Sequence, residues 1–283
     1  MTLEGVPLRI AQLSDIHCGT PTFEPGLMEG VIERVNRMRP DVVVVVGDLT
    51  ADGYEGEYED AARWIGRFTA PAVVVPGNHD ARNLGHLHFQ RIFGERFRCY
   101  RESFEDERAE RMRATGVTIV AVDSSEPDLN DGRIGREWYG WITEQYRYPD
   151  DIKVFAVHHH LVSVPGTGRE RNTVVDAGDL LDVLAGLDLD IVLSGHKHVP
   201  FFWGLNGILI CNSGTPCTRR LRGLTPPSWN EITVDAATIK VHLHYEDGRR
   251  ELAVVRTRAD RFAIRDSFHV TAEFRAATHV VAT

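Results

Sequence analysis

The chain has 283 residues, with 32 basic against 41 acidic side chains and a formal charge of -9. Such an excess of negative charge repels a nucleic acid duplex unless a local basic patch intervenes, so duplex binding is not expected. With 42% hydrophobic and 26% charged residues the balance is globular, which leaves little room for extended disorder, and a mixed sheet-and-helix chain of this length can fold around one large core.

In chain order, Leu8 to Ser14 reads as a buried strand. Pro25 opens a helix in which Leu27, Met28, Val31, Ile32, Val35 and Met38 recur at helical spacing until Pro40 ends it. Val42 to Val46 is an unbroken valine strand, the mark of a segment covered on both faces. A second helix places Tyr58, Ala61, Ala62, Ile65 and Phe68 on one side. Ala72 to Val75, Val117 to Val122, Ile152 to Val157 and Ile191 to Leu193 continue as strands, with helices expected around residues 86–93, 136–147 and 178–186. This alternation implies an α/β sheet with helices on both faces.

Beyond residue 200 the strands Gly207 to Cys211, Glu231 to Val234 and Thr238 to Tyr245 follow without intervening helices, the last two joined by the turn Asp235-Ala236-Ala237. They suggest a second, largely antiparallel sheet. Two sheets packed face to face with helices outside give a four-layer αββα sandwich over residues 1–248. Residues 249–283 alternate only weakly and are expected as an extension: an added strand, an interface arm of a homo-oligomer, or a frayed tail.

The polar residues fall where the strands stop. Asp15 and His17 follow the first strand, Gly47-Asp48 the second, and Gly77-Asn78-His79-Asp80 the third. His158-His159-His160 follow the strand from Ile152, and Gly195-His196-Lys197-His198 the strand from Ile191. Carboxyl ends of strands in an open α/β sheet line one edge, where ligands bind, so these segments converge on one crevice. Two Asp, one Asn and several His offer mixed oxygen and imidazole donors, a set suited to Mn, Fe, Zn, Ni or Co. Seven ligands exceed one tetrahedral ion and suit two divalent or mixed-valence ions roughly 3.5 to 4 Å apart with a bridging carboxylate.

D-x-H, G-D, G-N-H-D, H and G-H-x-H in this order resemble the calcineurin-like metallophosphoesterases, and the motifs run from Asp15 to His198, about two thirds of the chain. Residue by residue, the resemblance implies one metal on Asp15, His17, Asp48 and His198. It implies the other on Asp48, Asn78, His158 and His196, with Asp48 as the bridge. His79 takes the family's role of hydrogen-bonding the phosphate and protonating the leaving oxygen. Within the family the chain is most similar to class III cyclic nucleotide phosphodiesterases, through G-D-L-T-A-D-G at residues 47–53, G-N-H-D and the paired His. Many such enzymes follow that pair with proline, where this chain has His160 and Leu161, so His158 and His159 stand as alternatives. His158, first after the strand, is preferred, and His159 is expected to line the substrate side.

Asp52 or Asp80 is expected to orient His79, since carboxylates commonly orient a working imidazole. Arg169 and Arg171, in a loop near His158, are candidates to grip phosphoryl oxygens, as are Arg82, Arg219, Arg220 and Arg222. The expected activity is hydrolysis of a small phosphoester, first of all a phosphodiester such as a 3',5'-cyclic nucleotide, by water activated between the two ions. A phosphomonoesterase, nucleotide pyrophosphatase or phospholipid headgroup hydrolase is compatible with the same ligands, because substrate choice lies in loops. A scaffold protein on this fold would be expected to have lost ligands, and all seven are present. Cys18, Cys99, Cys211 and Cys217 show no paired spacing, Met1 to Arg9 resembles no signal peptide, and no apolar stretch approaches membrane-spanning length. A cytoplasmic protein with no membrane span is expected.

Overall fold

The computed structural model describes residues 6–165, 167, 173–222, 225–259 and 264–267. Two crossovers between parallel strands open the fold: β1 (Leu8–Leu13), α1 (Pro25–Met38), β2 (Val42–Val46), α2 (Glu55–Ile65), β3 (Ala72–Val75) and then α3 (Gly85–Phe93). The first helix begins on Pro25, which has no amide hydrogen to leave unsatisfied. It ends where Arg39 enters the left-handed region at φ 52° and returns its N–H to Asn36. The chain continues through β4 (Phe97–Ser103), α4 (Asp106–Met112), β5 (Gly116–Val122), α5 (Tyr139–Gln145), β6 (Ile152–Val157), α6 (Ala177–Gly186) and β7 (Ile191–Ser194). Then come β8 (Phe201–Leu205), β9 (Ile208–Asn212), β10 (Ser228–Val234), β11 (Thr238–Tyr245), β12 (Arg250–Thr257) and β13 (Ile264–Ser267).

One sheet has the order β13-β12-β11-β10-β1-β2-β3 and the other β4-β5-β6-β7-β9-β8. Both are mixed, and the expected αββα layering is present. Val42, Val44 and Val46 point into the apolar layer between the sheets with Ile119, Val154 and Leu193, while Val43 and Val45 face α1 and α2 through Val31, Val35 and Ala61. On the far side Phe155 and Val192 meet α5 and α6 through Ile142, Leu180 and Leu184. A strand buried on both faces is thus apolar at every position, and each such side chain contributes roughly 1.5 to 3 kcal/mol.

The expectation of a separate antiparallel sheet after residue 200 requires correction. β9 joins β7 in parallel, β8 folds back on β9, and β10 runs antiparallel to β1, followed outward by β11 and β12. The parallel ladder grows from β1 toward β2 and β3 only, which leaves the other edge of β1 to be covered. The strands β4 and β8 were not anticipated. Each is an edge strand of the second sheet, and the half-exposed FRCYRES of β4 carries no apolar alternation.

Beneath the carboxyl end of β1 a buried amide network ties the sheets together. Gln12 Nε2 donates to the carbonyls of Ser194 at 2.9 Å and Cys211 at 3.0 Å, and Asn230 Nδ2 donates to Gln12 Oε1 at 2.9 Å. At the opposite pole the fully buried Arg256 of β12 donates to the Asp190 carbonyl, at 3.1 Å, ahead of β7.

Candidate metal centre

The ligand-type residues come from both sheets. Asp15, His17, Asp48, Asn78 and His79 leave the ends of β1, β2 and β3, whereas His158, His196 and His198 leave β6 and β7. All are at least nine-tenths buried. Asp15, His17, Asp48, His196 and His198 each adopt positive φ between 52° and 71°, which non-glycine residues seldom do. Such strain, of order 1 to 3 kcal/mol per residue, persists only where the surroundings impose it. Gly195 lets the β7 turn lie against Ser14, because a Cβ there would overlap Ser14 Oγ.

The donor atoms form two groups. In the first, His17 Nε2 lies 3.1 Å from His198 Nε2, and Asp15 Oδ1 lies 3.2 Å from His198 Nε2 and 3.8 Å from His17 Nε2. In the second, His196 Nδ1 lies 3.2 Å from His158 Nε2 and 3.0 Å from Asn78 Oδ1. Asp48 joins them: Oδ1 is 3.4 Å from His158 Nε2 and Oδ2 is 3.7 Å from His17 Nε2. Ligands about 2.0 to 2.2 Å from one ion and at right angles to each other stand about 3 Å apart, so the spacings suit metal coordination.

The outer nitrogens fix the tautomers. Nδ1 of His17, His158 and His198 faces the carbonyls of Thr50 at 3.3 Å, Val46 at 2.8 Å and Arg220 at 2.5 Å. A carbonyl only accepts, so each Nδ1 carries the proton and each neutral ring turns an Nε2 lone pair inward. Two lone pairs facing at 3.1 Å repel unless a cation stands beside them, and the buried Asp15 Oδ1 has no hydrogen-bond partner. The donor set therefore fits two cations. The charge balance agrees. Burial opposes ionisation of Asp48, but His158 and His79 outweigh it and hold the carboxyl well below its ordinary range. Burial pushes His17 down to about 3, whereas at His158 the attraction of Asp48 and Asp15 overcomes burial and pushes it up to about 9.

His79 sits beside the first group, its ring centroid 4.7 Å from that of His17. Nδ1 donates to the Ala51 carbonyl at 2.5 Å, leaving Nε2 for the site, and its backbone N–H donates to Asp48 Oδ1 at 2.9 Å. The orienting group on His79 is that carbonyl, in place of either expected carboxylate. Asp52 turns outward to pair with Arg82 at 2.8 Å. Asp80 accepts from Leu49 N, Thr50 N, Thr50 Oγ1 and Gly77 N at 2.7 to 3.0 Å, which pins the Asp48 turn to the Asn78 turn. Burial and repulsion from Asp48 push Asp80 up to about 7, against those four donors.

His159 also departs from expectation. Its Nδ1 accepts from Ser124 Oγ at 2.8 Å and its Nε2 donates to the Asn130 carbonyl at 3.2 Å, so both nitrogens are spent inside the fold and neither meets substrate. The choice at the fourth block falls geometrically on His158. Arg169 and Arg171 lie outside the described residues. The carbonyls of Val46, Thr50, Ala51 and Arg220 were not foreseen, since a main-chain oxygen has no side-chain signature in sequence.

The calcineurin-like phosphoesterase family model matches residues 8–200, the stretch that carries every one of these side chains. The chain belongs to the calcineurin-like phosphoesterases. It is 26% identical over 214 residues to a probable cyclic nucleotide phosphodiesterase of Synechococcus sp., covering 71% of this chain and 77% of that protein. It is 24% identical over 234 residues to the 3',5'-cyclic adenosine monophosphate phosphodiesterase of Escherichia coli K12, covering 75% and 77%. Among solved structures, a dimetal phosphatase from Danio rerio shares the fold, with a TM-score of 0.60 at 12% identity, covering 88% of this chain and 98% of that one. As a calcineurin-like phosphoesterase the chain is a hydrolase of phosphoric esters that uses divalent metal ions. Among the described residues no helix is long and apolar enough to cross a membrane.

Proposed function

We propose that this phosphoesterase hydrolyses phosphodiesters, with 3',5'-cyclic nucleotides as the first substrate class. The observation that carries the reading is the junction at Asp48, where one carboxylate faces both donor groups while its Oδ1 also receives the backbone N–H of His79. Asp15, His17, Asp48 and His198 would hold one ion, and Asp48, Asn78, His158 and His196 the other, and such a pair would supply Lewis acidity and a nucleophile at neutral pH. The rest falls to the chain. His79, fixed through Nδ1–H, would give the departing oxygen a proton from Nε2 when its ring is doubly protonated, and Ala51 O keeps the ring from turning. Asp48 places the His79 backbone, so acid and nucleophile are held to one frame. The named activities of the Synechococcus and E. coli relatives favour a cyclic nucleotide.

The donor chemistry favours Mn, Fe, Zn, Ni or Co as the native ions. Four free cysteines fit a reducing compartment, which favours the cytoplasm. The test is kcat/KM of the metal-reconstituted protein on cyclic nucleotides, an aryl diester, an aryl monoester and a nucleoside diphosphate derivative. A diester preference is expected. A monoester or pyrophosphate preference overturns the substrate class while leaving the centre in place.

A further inference from the structure

Arg219 and Arg220 are adjacent and live in opposite surroundings. Arg219 is neutralised, with Nε 2.7 Å from Glu24 Oε1 and Nη1 2.7 Å from Glu246 Oε2. Arg220 has no carboxylate within ion-pair distance among the described residues, and its Nη1 lies 3.5 Å from His79 Nε2. That is the one nitrogen of His79 not committed to the Ala51 carbonyl. A guanidinium only donates, so a cation brought to the working edge of an imidazole, with no anion among the described residues between them, is arranged to share an anion from outside.

The approach is built into the backbone. The Arg220 N–H donates to Thr218 Oγ1 at 3.1 Å, and its carbonyl accepts from His198 Nδ1 at 2.5 Å. Thr218 is fully buried and bonded to Thr22 Oγ1 at 2.9 Å. The main chain that orients a ligand-type histidine therefore also aims the arginine.

We infer that Arg220 binds the substrate, its guanidinium donating to a nonbridging oxygen of the scissile phosphoryl group from the side on which His79 meets the leaving oxygen. This deepens the phosphoesterase reading and rests on it. A guanidinium in that place also holds free phosphate or a monoester product, whose charge exceeds that of a diester, so product inhibition passes through the same side chain.

The experiment uses the full chain loaded with two metals and compares the parent with Arg220→Ala and Arg220→Lys. Any side chain at this position keeps the carbonyl on His198, so metals per chain, by elemental analysis, are expected to stay at the parent value. Inorganic phosphate, titrated by calorimetry, is expected to bind at least about tenfold more weakly to Arg220→Ala, the cost of a lost charge-assisted hydrogen bond. On an aryl diester kcat/KM is expected to fall about 10²-fold, and Arg220→Lys to recover part of both losses. The inference is overturned if phosphate affinity and kcat/KM of Arg220→Ala stay within about twofold of the parent, a difference smaller than one such bond. It is overturned too if the parent binds no phosphate, or if metal content falls in both variants, which would reduce Arg220 to a support of His198. A parent inactive on every phosphoester, whose phosphate affinity still drops in Arg220→Ala, would fail the functional reading and leave this one standing.

Discussion

Replacing His79 by alanine should separate the proposed proton donation from metal assembly, because the two tasks would fall to different parts of the residue. The side chain carries the proton: with Nδ1 bound to Ala51 O, Nε2 is the only ring atom that can serve the site. The backbone serves the centre, through the N–H to Asp48 Oδ1 at 2.9 Å, and alanine keeps that bond. Metal content is therefore expected to stay at the parent level. A positioned general acid contributes roughly 10²- to 10⁴-fold, or about 3 to 5 kcal/mol at 1.36 kcal/mol per decade. That full loss is expected for a leaving ribose oxygen, whereas an aryl oxide departs without the proton and should lose less than about tenfold. The assay is kcat/KM on a cyclic nucleotide and on an aryl diester, with metals measured on the same samples. Asp52→Ala serves as control: its carboxylate engages the half-buried Arg82, so the ratio of the two rates should match the parent. Equal loss on both substrates in His79→Ala, or loss of metal, would refute the assignment of the proton to Nε2.

Two further outcomes follow from the same geometry. Asp48→Ala should abolish activity and lower metal content more than His17→Ala, since only Asp48 faces both donor groups and its loss leaves neighbouring cations uncompensated; elemental analysis and turnover check this. Away from the site, Glu231 is buried, which would raise its pKa, yet bonds from His244 and Arg250, both at 2.8 Å, hold it down at about 2 against an ordinary 4.5. A carboxyl lowered on folding stabilises the fold fully above pH 4.5 and less as pH falls toward about 2. Glu231→Gln should thus cost about 2 kcal/mol at pH 7, roughly half of that near pH 3, and approach the parent only as pH falls to about 2, read as the difference in Tm across that range.

The candidate donor set was legible because strand ends mark themselves twice, by the end of an apolar run and by the polar residue that follows. Asp15, Asp48, Asn78, His158, His196 and His198 all sit at such ends, and the crevice they share follows from parallel strands. The allocation of strands to sheets was not legible. Val42–Val46 and Ile152–Val157 carry the same pattern of burial on both faces, although they belong to different sheets. Periodicity reports which faces are covered and says nothing of which strand lies alongside. The reading of Asp80 missed for a related reason: a buried carboxylate beside a histidine in sequence looks like its partner, whereas three backbone amides of two turns and the Thr50 hydroxyl occupy it.

The Gln12 amide bridge between the sheets lies directly below a centre whose every donor group draws residues from both sheets. The distance between the two halves of each donor group is consequently a property of how the sheets are stacked, not of any one loop. An ion bound there acts as a rivet across the sandwich, and by linkage whatever loosens the stack must weaken the ion to the same extent. Substitutions at Gln12 or Asn230, which touch neither metal nor substrate, would in this way register as changes in metal affinity, and chelation would register as a loss of mechanical cohesion deep in the fold.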